Sequence, residues 1–196
     1  MAAGRAASLS HMASPTRTSP SLGRPPGQTL RLRPLGDGDE AAFLSALEVM
    51  AAEDFAFGFG HEPGMAWSAY LQMLDDHRHG LNLPDDLVPA TFLVADVGGT
   101  IVGRASIRHQ LNDFLEREAG HIGYCVLPAY RRRGHATVIL RQSLTIIRSL
   151  GVDRVLIFCD DDNAGSAAVI ESNGGELESV SRTAPSEPLK RRYWIN

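Results

Sequence analysis

The chain has 196 residues, 43% of them hydrophobic, and a formal net charge of −4. That length and apolar content suit one globular domain with a core of its own, and the acidic balance argues against a general nucleic-acid or membrane binder. No apolar run approaches the ~18 residues of a bilayer span, and the single lysine, Lys190, makes a lysine nucleophile a poor expectation. Residues 1–28, "MAAGRAASLSHMASPTRTSPSLGRPPGQ", hold no acidic residue and little apolar surface. They read as a disordered tail or a leader, and "SHMAS" resembles a cloning junction. Residues 29–196 read as the one folded domain.

"TLRLRPL", residues 29–35, alternates apolar and basic positions and reads as a first strand. A helix follows, capped by Asp39, with Phe43, Leu44, Leu47 and Met50 at helical spacing. After the glycine-rich "FGFGHEPG", a second helix is expected over residues 65–79, carrying Trp67, Tyr70, Leu71 and Leu74. Two strand-like runs then flank Gly98-Gly99, a dipeptide suited to the positive φ angles of a hairpin turn. "AGHIGYCVLP" is a further strand, stopped by Pro128. A helix opens at Gly134, shows Ala136, Leu140, Leu144, Ile147 and Leu150 on one face, and ends at Gly151. "DRVLIFC" suits a buried strand, "NAGSAAVIESNGG" a short helix, and "ELESVS" and "RRYWIN" two last strands. The order β-α-α-β-β-β-α-β-α-β-β describes an α/β domain on a mixed, mostly antiparallel sheet. Cys125 and Cys159 are the two cysteines. Both fall in apolar strand-like runs, the pattern of buried thiols in a reducing, cytoplasmic setting rather than of a disulfide framework.

The most informative stretch is "YRRRGHATVIL", residues 130–140. Arg131, Arg132 and Arg133 stand between the end of a strand and the start of a helix, not along a helix face. The first amides of a helix lack intrahelical partners, and the dipole adds partial positive charge there. Gly134 permits close approach to the backbone, Ala136 keeps the next turn small, and Thr137 offers a hydroxyl. Together these residues suit a pyrophosphate. The plainer reading is a solvated basic loop ahead of an ordinary helix. No "GxxxxGK[ST]" is present and no "GxGxxG" follows a strand, so neither an ATPase nor a nicotinamide-dependent enzyme is favoured.

The stretch resembles the acyl-coenzyme A signature of the GCN5-related N-acetyltransferases (GNAT), "[QR]-x-x-G-x-[GA]", with Arg131, Gly134 and Ala136 at its fixed positions. "GHIGYCVLPAYRRRGHATVIL" is similar to that family's fourth strand and third helix. "DRVLIFCDDDNAGSAAVIESNGG" is similar to its fifth strand and fourth helix, with Asn163 and Ser166 in the usual Asn-x-x-Ser. The resemblance implies a GNAT fold, splayed between strands 4 and 5, with acetyl-CoA as acyl donor and no metal. It implies a bulged fourth strand whose backbone near Tyr124, Cys125 and Val126 bonds the pantetheine amides. The amides of Arg132, Arg133, Gly134, His135, Ala136 and Thr137 would hold the pyrophosphate. Asn163 would reach the pantetheine, and Ser166 would lie near the other end of the cofactor.

The sequence departs from the family at two catalytic positions. The usual strand-4 glutamate base is His121, which titrates near neutrality and is the expected base. The usual tyrosine acid, in "N-x-x-[AS]-x-x-[LV]-Y", is Ile170, which cannot donate a proton. Tyr124 is the substitute acid considered first, although strand alternation sets it on the face opposite His121. Cys159 is a weaker one. Asp54 and His109, the latter beside Arg108, are expected substrate contacts. Glu116 and Glu118 are either cation contacts or a solvated turn. Asp162 or Asn163 is expected to cap the following helix rather than bind metal, and His77 and His79 do not share a helix face.

These readings amount to direct acetyl transfer from acetyl-CoA to an amine of a small-molecule or peptide acceptor, in a ternary complex. The family also admits a homodimer. The alternative is a non-catalytic acetyl-CoA sensor or structural module. Aminoglycoside modification would want a strongly acidic groove, and the acidic residues near the gap are few.

Overall fold

The computed structural model describes residues 29–182, 186 and 188–196. The expected tail or leader, residues 1–28, lies outside the described residues. The chain runs β1 (Arg31–Arg33), α1 (Glu40–Ala51), α2 (Trp67–His79), β2 (Ala90–Val97), β3 (Thr100–Arg108), β4 (Ile122–Val126), α3 (His135–Ser149), β5 (Val155–Asp160), α4 (Ala164–Ser172), β6 (Glu176–Ser181) and β7 (Lys190–Ile195). This is the expected order.

The strands form two separate half-sheets, β1-β2-β3-β4 and β5-β7-β6, and every pairing within them is antiparallel. Gly98 and Gly99, at φ 60° and 85°, close the β2–β3 hairpin between Val97 and Thr100. Both angles belong to the left-handed region that a two-residue hairpin needs. The bulge expected in β4 is instead in the β2–β3 pair, at Ala95/Asp96, and β4 keeps one register with β3 from Ile122 to Val126. A bulge needs an extra residue on one strand, and the five residues of β4 meet five of β3 with none to spare.

Among the described residues the half-sheets meet at a single bridge, Gly120 to Ile157. Gly120 sits at φ 65°, and a Cβ there would lie 2.4 Å from Leu156 O. Only a glycine lets the two backbones approach this closely. Beyond the bridge β4 and β5 diverge, and the space between them is the cleft described below.

Helices cover both faces of the larger half-sheet. On one face Phe43, Ala46 and Met50 of α1 and Tyr70 and Leu74 of α2 pack on Phe92, Val94, Ile101 and Cys125. On the other, Ile139, Leu140, Leu144 and Ile147 of α3 pack on Leu93, Ala105, Ile107 and Ile122 and on β5 and β7. Leu44, expected on the apolar face of α1, is instead exposed, and Ala46 takes the inward position. Leu150 is also exposed, because it caps α3 after the last full turn. Asp39 stands at the N-cap of α1 without capping it. Its carboxylate accepts from the Gly36 N–H and from both Nη atoms of Arg33.

Candidate functional site

The cleft is built in sequence from one end to the other. At its outer end a cavity of about 490 Å³ is lined by Val126, Tyr130 to Arg132, Gly134 to Thr137 and the start of α4. Next, about 420 Å³ lies between β4 and α4, lined by Met50, Glu53, Phe55, Tyr124 to Val126, Asn163 and Ser166. A third cavity of about 300 Å³ carries on past Tyr124, lined by Arg104, Arg108, Glu118, Gly123, Cys159, Asp160 and Lys190. Neighbouring cavities share walls. Val126, Arg131, Ala136, Gly165 and Val169 belong to the first two, and Phe55, Tyr124, Asn163 and Ser166 to the second and third. The result is one passage with Tyr124 and Ser166 at its waist.

At the outer end the main chain turns sharply into α3. Arg132 is left-handed at φ 62° and Gly134 at φ 80°, immediately before α3. This backbone turns successive N–H groups toward one side, next to the orphan amides of the first helical turn. Nothing lies within 4 Å of where a Gly134 Cβ would stand, so the ground above the turn is open. The side chains of Arg131 and Arg133 are engaged with the protein itself. Arg131 donates through Nε to Val126 O at 3.0 Å and forms a forked pair with Glu53 after α1. That pairing holds the Glu53 carboxyl below its ordinary range. Arg133 donates to Ala129 O and lies over the Tyr130 ring. His135 lines the cavity, and burial, with Arg133 nearby, lowers its pKa.

At the waist the Tyr124 hydroxyl is 2.9 Å from Ser166 Oγ. Burial pushes its pKa up to about 12, against a smaller lowering by Ser166. Asn163 caps α4, its Oδ1 accepting from the Ser166 N–H at 2.9 Å. This cap holds the serine against the tyrosine. Cys159, next to the last residue of β5, lines the inner cavity, and burial raises the pKa of its thiol. Cys125 is buried under the same effect. Ile170, at the family's tyrosine position, is fully buried in the core.

Besides Arg133, whose side chain turns to Ala129 and Tyr130, three expected site residues fall outside the passage. His121 is 6% exposed and sits at the apex of the two half-sheets. Its backbone N–H donates to Leu156 O at 2.8 Å, and its Nδ1 accepts from the Leu156 N–H at 2.9 Å. The ring thus clasps β4 to β5, and burial lowers its pKa. His109 faces the other side of β3, with Nε2 2.8 Å from Thr91 Oγ1. Strand alternation turns Arg108 inward and His109 away. Asp54 is exposed in a turn at φ 54°, while its neighbours Glu53 and Phe55 line the passage.

Arg104 was not singled out by the sequence, and it lines the inner cavity with Arg108. The signal available was its spacing: four residues before Arg108 on one strand, hence on the same face. Glu53 carries no sequence signal, because its role depends on α1 ending beside β4.

The residues 29–176 match the acetyltransferase (GNAT) domain model, and the chain belongs to that family. It is an acetyltransferase by that membership. No curated protein matches the chain. Among solved structures, it is similar to RimJ from Mycobacterium smegmatis in complex with a coenzyme A disulfide, at 20% identity and TM-score 0.60, covering 85% of this chain and 81% of that one. It is similar to the ribosomal alpha-N-protein acetyltransferase RimL in complex with coenzyme A, at 18% identity and TM-score 0.62, covering 85% and 93%. A GNAT-family acetyltransferase from Streptococcus pneumoniae aligns at 15% identity and TM-score 0.57, covering 85% and 98%. At these identities the likeness is one of fold.

Proposed function

We propose that this chain transfers an acetyl group from acetyl-CoA directly to the amine of a small acceptor. The observation that carries the reading is the continuous passage between β4 and β5. It joins a main-chain anion nest at one end to a charged cavity at the other, with a protonated phenol between them. The RimJ and RimL structures contain coenzyme A in complexes of the same fold. The open ground over Gly134 and the left-handed backbone of Arg132 and Gly134 suit the pyrophosphate of such a donor. The residues to hold it are the amides of 132–137, with β4 from Tyr124 to Val126 for the pantetheine amides, and Asn163 beside them.

Acetyl-CoA supplies an activated acyl group on a thiolate leaving group. Tyr124 is the proton donor in this reading. Its raised pKa keeps the phenol protonated at neutral pH, and Ser166 fixes its hydroxyl at the waist. Both thiols are also held protonated by burial, so an acyl-cysteine route has no thiolate to start from. Transfer is then direct, with donor and acceptor bound together. His121 keeps the half-sheets joined, and the proton acceptor is Asp160, the carboxylate that faces the inner cavity without an ion pair among the described residues.

The test is calorimetry with acetyl-CoA, followed by a thiol-release assay on a panel of small primary amines. Tight binding with amine-dependent thiol release is expected. Tight binding with no turnover on any amine would favour a sensor, and absence of binding would overturn the reading.

A further inference from the structure

The inner cavity holds two guanidiniums that no carboxylate pairs among the described residues. Arg104 and Arg108 lie side by side over Gly123, where an added Cβ would be 3.7 Å from Arg104 Nη1 and 3.8 Å from both Nη atoms of Arg108. Arg104 donates to the carbonyls of Ala56 and Phe57 and sits 5.1 Å from the Phe55 ring centroid. Arg108 donates through Nη1 to Gly120 O at 3.1 Å, and its Nη2 has no hydrogen-bond partner among the described residues. Carbonyl partners satisfy donors but leave the charge uncompensated. Neither guanidinium has an ion-pair partner among the described residues, whereas the third cation of the cavity, Lys190, is matched by Glu118 at 3.3 Å.

The electrostatic cost registers on Arg108, which burial and the neighbouring Arg104 charge push down to about 10. It remains a cation at neutral pH. Two like charges held together in a half-dry cavity are stabilised by a bound anion. Asp160, across the cavity at the end of β5, supplies an opposite pole.

We propose that the acceptor is a small amine carrying an anionic group of its own, either the carboxylate of a free amino acid or the phosphate of an aminoalkyl phosphate. Arg108, backed by Arg104, takes the anion, and Asp160 faces the amine. The inference rests on the acetyl-transfer reading and names the class of its acceptor. The cavity of about 300 Å³ is at the small end of ligand pockets, in keeping with such a molecule. A peptide N-terminus offers the amine without a carboxylate beside it and leaves the arginine pair unmatched.

The experiment uses matched probes on the acetyl-CoA-saturated protein: free L-amino acids against their decarboxylated amines, and phosphoethanolamine against ethanolamine. Calorimetry on the coenzyme A complex compares N-acetylphenylalanine with N-acetylphenethylamine. We expect kcat/KM to favour the anionic members by ~10-fold or more, as charge-assisted hydrogen bonds allow. Which anionic pair responds separates carboxylate from phosphate. Arg108→Gln should abolish that preference through KM while acetyl-CoA affinity stays unchanged, and Arg108→Lys should restore part of it. Equal or better use of the uncharged amines overturns the proposal. So does a preference that survives Arg108→Gln, or refusal of every probe by protein that binds acetyl-CoA. Loss of acetyl-CoA binding itself counts instead against the acetyl-transfer reading.

Discussion

The two ends of the passage are made of different material. The outer end turns on backbone, left-handed at Arg132 and Gly134 and followed by the orphan amides of α3, with the side chains of Arg131 and Arg133 turned to Glu53, Ala129 and Tyr130. The inner end is side chain: two guanidiniums from β3, a carboxylate from β5 and an ion pair between Glu118 and Lys190. A backbone site needs one short segment and tolerates change in whatever surrounds it. A side-chain site needs several segments brought together, and its specificity changes with any one of them. Under the proposed function this suits a division of labour in which the outer end serves a constant ligand and the inner end a particular one.

Several substitutions sharpen or break this contrast. Tyr124→Phe, at the waist between the ends, should lower kcat by roughly 10²–10³-fold, the range of general acid catalysis, with coenzyme A affinity unchanged by calorimetry. The raised phenol pKa has a stability counterpart. The folded state holds that proton more tightly than the unfolded chain, so its contribution is present below the ordinary value of 10. It is lost as pH rises toward about 12, and chemical denaturation across that window should show less loss in the variant. Gly134→Glu puts a carboxylate and a strained left-handed residue at the outer end. Coenzyme A affinity should fall by ~100-fold while circular dichroism reports an intact fold.

His121→Ala should act on the fold. It strands the buried Leu156 N–H at a cost of about 1–3 kcal/mol, read as a lower urea midpoint. A large fall in kcat without that shift would restore His121 as the proton acceptor. Because burial lowers its pKa, the folded state binds the proton more weakly than the unfolded chain, whose value is near 6.5. Stability should therefore fall as pH drops below that value, with His77 and His109 acting in the same sense. The smallest effect is expected from Glu53→Gln. The pair with Arg131 is exposed, so stability should barely change. The freed guanidinium should raise coenzyme A affinity a few-fold, and more at low salt.

The contrast also sets how much could be read from the amino-acid sequence. The element order, the Gly98-Gly99 hairpin and the turn at Gly134 before α3 were legible, because each is written in glycines and periodicity within a dozen residues. A cap at Asp162 or Asn163 was legible, and the structure places it on Asn163. The acceptor end was not. Arg104 looks like any basic residue in a strand until β4 places Gly123 beneath it, and Glu53 gains its meaning only where α1 stops beside β4. The apex position of His121 was not legible either, because strand-4 position alone does not tell a residue in the gap from one at its apex. Asp54 and His109 failed by a single residue each. Turn geometry and strand alternation turned their neighbours inward instead.

Gly120 sets the spread of the molecule. With a hydrogen in place of a side chain, the arms touch at Leu156 and Ile157 and open from there, like a compass pivoting on one pin. A methyl group at the pin would wedge the pivot itself. The displacement would grow with distance along the arms, largest where Arg132 and Gly134 wait at the far tips. One hydrogen atom at the pivot thus acts as the gauge for how wide the gap between β4 and β5 opens.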